Sequence, residues 1–456
     1  MNKVLILLFF SFGLWAQEKK GEVPPPKEVN LLSVQECIKY ALKNSPSLKK
    51  LKLAHADSQY DTIIARAAFD LGLSVTSRRS EGLNDNHDRD TTTNTHSLTL
   101  SQEIPGGVDL STTGSFTQDN IDNDQQGDLS ISISKVLLGG GTLEESLEGI
   151  RDGLVDELIA MNNIRLSERN IHFRVQRQFY RIIRNIQSLA IQERRLERSK
   201  KNLEHAIERD IPLDIATAKI EIPETQLNVI AAKRQIESEL DVLKITMGMS
   251  PEKVINISND FDYHPVKLKV TDDLFFAEKN EETFVNNALR REKTARDVRI
   301  AKTRSDVDLS VAFTQSLGSK GSETANLNGS EDSVLSLNLS FDFGQRADKA
   351  RVAKSKNNLE ENSIDRYILR QGKFQGLRDL SRRISETETS VTIQGQRIKL
   401  NELQLELFKD RWENGEIGIL EYIRSQNSLE DSRVQLINLK TNYMELLAQY
   451  LFEVGK

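Results

Sequence analysis

Two histidines, His87 and His96, sit among Asp85, Asp88 and Asp90, and imidazole with carboxylate is a donor set for a metal ion. Their spacing matches no standard cluster, and a calcium loop would need a glycine at its centre and a closing glutamate that are missing here. The stretch reads as a solvated loop. His55, His172 and His205 fall in helical pattern and His264 stands beside Pro265, each as an ordinary surface or seam residue. The one cysteine, Cys37, has no partner for a disulfide or a Cys-x-x-Cys pair, and helix packing accounts for it. No phosphate loop, nucleotide fingerprint or hydrolase elbow is present. The sequence therefore points to no catalytic residue, no metal and no cofactor, and the question becomes what its regular elements build.

The chain has 456 residues, a net charge of -6, 29% charged and only 6% aromatic residues. Charge so near balance leaves no footprint for nucleic acid. The N-terminus, MNKVLILLFFSFGLWAQEKK, has Lys3, an apolar run to Leu14 and Ala16 before a charged tail, the pattern of a signal peptide over 1–16. Gln17 follows in place of a lipid-accepting cysteine. Export without disulfides fits a bacterial envelope protein. Beyond this leader no run of about 18 apolar residues codes a transmembrane helix.

A flexible lead over 17–32 carries Pro24, Pro25 and Pro26. Ser33 and Glu36 form a capping box for a helix ending near Asn44, and Pro46 opens a second that continues to about Phe69. The period then changes to two. Leu71, Leu73 and Val75; Leu98, Leu100 and Ile104; Val108, Leu110 and Phe116; and Leu129, Ile131 and Ile133 alternate with serine, threonine and other polar residues. These strands, about 70–136, have one apolar and one hydroxyl-rich face. VLLGGG closes them, and helical pattern runs without proline from about Thr142 to Arg209, a rod of about 100 Å. Ile182, Leu189, Leu196 and Leu203 recur at heptad spacing. A turn at Arg209-Asp210-Ile211-Pro212 leads to a helix over 213–247 that contains Pro223 and stops at Gly248.

The same order is then written again. ALKNSPSL at 41–48 matches AEKNEETF at 277–284, and the same offset sets Leu73-Ser74 on Leu309-Ser310. Strands over about 307–343, a long helix over about 345–414 with Ile384, Val391, Ile398, Leu405 and Trp412 at heptad spacing, and a helix over 419–454 follow. Two repeats, 33–248 and 272–456, thus flank a connector over 249–271. A lone rod of this length has no core, and the strands of one chain are too few to close a wide barrel, whose open edges cannot face lipid. Several copies must share one barrel, continued by the rods as a helical tube. Gly139, Gly140 and Gly141, with Gly344 in the second repeat, would turn strand into helix in that crowded ring.

At this point the chain resembles the outer-membrane efflux protein family, the TolC-like channels of Gram-negative bacteria. The resemblance rests on LSVQECIKYALKNSPSL near the start, VLLGGG and FDFGQR at the junctions, and RWENGEIGILEYIRSQNSLEDSR at 411–433, in this order over nearly the whole mature chain. It implies a mixed α/β membrane protein: a homotrimeric β-barrel in outer-membrane lipid, continued across the periplasm by a long α-helical barrel. Its role would be a passive duct for efflux or type I secretion, without enzymatic activity, docked to a periplasmic adaptor protein and an inner-membrane pump or ABC transporter. The tip would comprise Asp210 and Pro212 in the first turn, and Arg411, Trp412, Gly415 and Gly418 in the second; Asp210 stands where relatives usually have glycine. A charged constriction would involve Asp214, Glu421 and Arg424, the last departing from the acid often found there. Relatives have two strands per half, whereas this first half offers four, so the trimer would hold eighteen strands, or twelve with the segment over about 94–117 projecting as a hairpin. A spacer or adhesin without a lumen is the competing reading, and a soluble enzyme on a coiled-coil scaffold would need a catalytic cluster that is not seen.

Overall fold

The computed structural model describes residues 31–82, 91–119, 125–259, 261–304, 307–321, 330–340 and 345–456. The expected signal peptide and most of the lead lie outside them, as do His87, Asp85, Asp88, Asp90 and Gly344.

The chain begins with α1 (Val34–Asn44) and α2 (Pro46–Ala67). Ser33 and Glu36 make both reciprocal bonds of a capping box, Ser33 N donating to Glu36 Oε2 at 2.8 Å and Glu36 N to Ser33 Oγ at 3.4 Å. Pro46 opens α2 where its missing N–H costs nothing. Four strands follow, β1 (Gly72–Gly82), β2 (Thr91–Ile104), β3 (Val108–Asp119) and β4 (Gln125–Leu138). A single helical turn, α3 (Leu143–Ser146), leads into α4 (Glu148–Glu208), and α5 (Pro212–Met247) returns. The second half repeats this with α6 (Val270–Asn280), α7 (Glu282–Arg304), β5 (Asp308–Gly321), β6 (Ser330–Ser340), α8 (Arg346–Glu413) and α9 (Ile419–Val454). Helix α5 runs unbroken through Pro223.

Among the described residues the six strands form one antiparallel sheet in the order β1-β2-β3-β4-β5-β6, so sequence neighbours are spatial neighbours and β1 and β6 are its edges. The helices pack side by side in two tiers. Near the sheet the order is α2, α4, α7, α8; further away it is α5, α4, α9, α8. Where the tiers meet, α1 and α6 thicken the wall over two separate cores. In the first, Cys37 and Ala41 of α1 are buried with Val175, Phe179 and Ile182 of α4 and Met247 of α5. In the second, Leu274 of α6 packs with Leu377 and Ile384 of α8 and Tyr443 and Tyr450 of α9. The connector is tied to the lead by a parallel bridge, Leu32 N donating to Asn256 O at 2.7 Å and Ser258 N to Leu32 O at 3.0 Å.

Candidate channel wall, junction and tip

Register sorts the sheet into two faces. Leu73 pairs with Leu100, Val75 with Leu98, Leu110 with Ile133, Ile133 with Phe313 and Phe313 with Leu335, so one apolar surface crosses all six strands. The opposite face carries hydroxyls. Thr99 pairs with Thr113 and Ser132 with Thr314, each pair sharing a hydrogen bond at 3.1 Å. Leu98, Ile131, Ile133 and Phe313 are exposed, whereas Thr99, Thr113, Ser132 and Thr314 are half-buried. More room on the apolar side is what a sheet curved with its hydroxyl face inward produces. An isolated soluble sheet would not leave such a surface bare; water penalises it by about 25 cal/mol per Å².

The glycine run lies where sheet meets helix, and its members differ. Gly139 has φ +85°, and a Cβ there would fall 2.6 Å from Asp308 Cα and 2.8 Å from Val307 O. Gly141 has φ +65° and would press on Val136 and Gly107. Gly140 has ordinary φ, and its nearest neighbour, a Glu145 oxygen, is 3.5 Å away. Gly139 is crowded by the start of β5, and Gly141 by the β2–β3 turn, which reaches back into the junction: Val136 N donates to Gly107 O at 3.0 Å and Gly106 N to Ser146 Oγ at 3.2 Å. Beside the junction, Arg299 of α7 holds Glu144 with bonds as short as 2.6 Å, and Arg304 reaches Glu145 and Glu148. The Arg299 hydrogen bond holds the Glu144 carboxyl below the usual range.

At the far end two turns meet. In the first, Asp210 takes φ +55°, a left-handed conformation that aspartate tolerates better than most side chains, and Pro212 is the first residue of α5. In the second, Gly415 has φ +77° and Gly418 precedes α9, its N–H donating to Glu421 Oε2 at 3.1 Å. Arg411 is exposed and reaches Glu416 at 3.3 Å. Trp412 is buried among Ala206, Ala218, Ile419 and Ile423. Its ring stacks on Tyr422 with centroids 4.9 Å apart, and the Arg209 guanidinium lies over it at 4.7 Å. Arg209 also donates to Trp412 O and Glu413 O, both at 2.7 Å, tying one turn to the other. The lock has a signature in the sequence, a cation in one tip turn matched by the only tryptophan after the leader in the other.

The three residues expected at a constriction do not share one environment. Asp214 is buried, and its Oδ1 accepts from Ile419 N at 3.4 Å, capping α9 from the neighbouring helix. Glu421 and Arg424 are exposed on the first turns of α9. Above them a polar layer joins the helices: Asn202 to Gln426 at 2.9 Å, Arg198 to Glu430 at 2.8 Å and Asn427 to Glu221 at 3.0 Å.

As for metal, His96 is bound to Ser77 at 2.9 Å across β1 and β2. Among the described residues one carboxylate group, Glu148, Asp152 and Asp297, is close enough to hold a cation. Burial raises the Glu148 and Asp297 carboxyls above the usual range. Protein cations already serve the group: Arg296 and Lys293 reach Asp152 at 2.8 and 3.2 Å, and Arg304 reaches Glu148 at 3.2 Å.

No protein-family model and no curated protein sequence matches the chain. Solved structures do. The open-state MtrE outer membrane channel of Neisseria gonorrhoeae superposes with a TM-score of 0.70 at 12% identity, covering 92% of this chain and 88% of that one. The outer membrane protein VceC of Vibrio cholerae gives 0.69 at 14%, covering 92% and 96%. CusC, described in terms of folding and transmembrane channel formation, gives 0.68 at 12%, covering 95% of each. Over nearly the full length the chain has the fold of the TolC-like outer-membrane channels.

Proposed function

We propose that this chain is a passive outer-membrane exit duct: three copies close into one tube, barrel in the outer membrane of a Gram-negative bacterium and helices across the periplasm. The observation that carries this reading is that one chain is left unfinished at both lateral edges in both of its parts. In the sheet the free edges are β1 and β6. In the helical tier they are α5 and α8, and each bears an unburied apolar heptad: Leu213, Ile220 and Leu227 at 67–75% exposure, and Ile393, Leu400 and Leu407 at 58–66%. The α5 series leaves the tip and the α8 series approaches it, so α8 of one copy and α5 of the next can meet antiparallel as a coiled-coil seam. Closure would cover both stripes and pair both strand edges in one step.

Such a tube makes and breaks no bonds and needs no cofactor. Its tip, with Asp210, Pro212, Arg411, Gly415 and Gly418 at the surface, docks a periplasmic adaptor, which couples it to an inner-membrane pump or ABC transporter. Glu421 and Arg424, three of each around the axis, alternate in sign and hold the constriction by ion pairs, while Asp214 sets the position of α9 rather than facing the bore. A spacer without a lumen would have no use for an apolar sheet face backed by a hydroxyl face. Purified assembly added to planar lipid bilayers should give discrete conductance steps whose salt dependence and ion selectivity change in Glu421→Gln; a preparation that inserts and never conducts overturns the duct, and unchanged selectivity in the variant removes the gate.

A further inference from the structure

We propose, resting on the closed three-copy tube above, that β2 and β3 are staves of the barrel wall, making it eighteen-stranded and wide enough to pass bulky hydrophilic cargo. Three observations place them there. Both are paired along their lengths, from Leu73↔Leu100 on one side to Leu110↔Ile133 on the other, with no break between them and the rest of the sheet. At 14 and 12 residues they match β4 and β5, each with 14, and all exceed the ~9–11 residues that a tilted strand needs to cross a bilayer. Their turn is anchored at the rim of the helical tube: Gln102 Nε2 donates to Phe69 O at 3.2 Å at the end of the helical entry, and Gly106 and Gly107 bond Ser146 and Val136 at the exit. A hairpin projecting into the medium would need none of these ties.

Circumference is compatible with that count. Near the sheet each copy contributes α2, α4, α7 and α8 to the tube. Twelve helices at about 8–10 Å spacing make a ring of about 95–120 Å. Eighteen strands about 4.8 Å apart and tilted by about 40° make a ring of about 110 Å, whereas twelve at that tilt make about 75 Å. Six strands per copy thus meet the tube without a step in width. The barrel would be about 35 Å between backbones and about 25 Å between side chains, and its inner surface would be of hydroxyls such as Thr99, Thr113, Ser132 and Thr314. Such a wall offers hydrogen bonds and no broad apolar patch, so the cargo it suits is polar and large, up to a bore of about 25 Å.

The test is thiol accessibility in the native outer membrane, in a Cys37→Ala background, with a charged, membrane-impermeant maleimide. Leu100→Cys and Leu110→Cys probe the apolar face of β2 and β3, Thr99→Cys and Thr113→Cys the hydroxyl face, and Leu73→Cys and Leu337→Cys the apolar face of the edge strands. The inference expects labelling at all four leucine positions at least about tenfold slower than at the two threonine positions, and reaction of those four with a lipid-soluble probe. Fast labelling of Leu100→Cys and Leu110→Cys with Leu73→Cys and Leu337→Cys protected makes β2–β3 a projecting hairpin and overturns the inference while leaving the duct intact. Fast labelling at all six positions removes the lipid-facing sheet and the duct with it. Electron microscopy of the unmodified assembly in lipid discs gives an independent count, eighteen strands in cross-section against twelve.

Discussion

The three junction glycines look alike in sequence, and replacing each by alanine separates them. At Gly139 an L-residue would have to hold φ +85°, a penalty of about 1–2 kcal/mol, while its Cβ sits 2.6 Å from Asp308 Cα and 2.8 Å from Val307 O. Those are backbone atoms of the start of β5, which cannot rotate away, so the strand must shift; overpacking of this kind costs a further ~1–3 kcal/mol. Gly139→Ala should therefore lose about 2–5 kcal/mol per copy. Gly140→Ala, with ordinary φ and its closest contact at 3.5 Å, should stay within about 0.5 kcal/mol. The assay is the melting midpoint of the detergent-extracted assembly beside the amount inserted in outer membranes. A fall of several degrees and reduced insertion for Gly139→Ala alone is expected. Equal behaviour of the two variants would refute the claim that β5 and the β4–α3 junction meet through a glycine-only contact.

Three further outcomes follow from named contacts. Leu400→Asp on the open edge of α8 places a charge in the proposed seam at a cost of about 3 kcal/mol or more, and should convert the assembly to monomers on native gels, whereas Lys399→Asp should not. Arg209→Ala removes both bonds to Trp412 O and Glu413 O and the contact with the indole, about 2 kcal/mol of local stability; limited proteolysis at the second tip turn should speed up about tenfold or more with the global melt little changed. Burial, reinforced by the Glu36 charge, pushes the Cys37 thiol up to about 12, so the folded protein at pH 8 should resist iodoacetamide for hours and react on denaturation; rapid alkylation of the native state would contradict its packing under α1.

What could be read in the sequence was local. Ser33 with Glu36, Pro46, and the period-two strands are each fixed by residues within a few positions of one another, and the capping box and the strands form where those residues stand. The heptads were read in register but only in part in burial. Ile384, Val391 and Trp412 are buried, as is Ile182, whereas Leu189, Leu196, Leu203, Ile398 and Leu405 are half-buried in a single copy. The pattern marked a seam and could not say which seams lie within the chain. Asp214 was read as a charge near a constriction, and its carboxylate instead caps α9, because its partner Ile419 N comes from the other repeat. The Arg209–Trp412 stack and the polar layer of Asn202, Arg198 and Glu430 were missed for the same reason: each joins residues some two hundred positions apart. Asp210, by contrast, takes a left-handed conformation at φ +55°, the kind of turn for which a glycine is usual.

The central claim is that the bare strand edges and the two bare helical stripes are covered by further copies of the same chain. Native mass measurement of the protein extracted by mild detergent from outer-membrane fractions addresses it without any variant. Three chains in one particle is the predicted result. A stable monomer, released to the soluble fraction without detergent, would contradict the account.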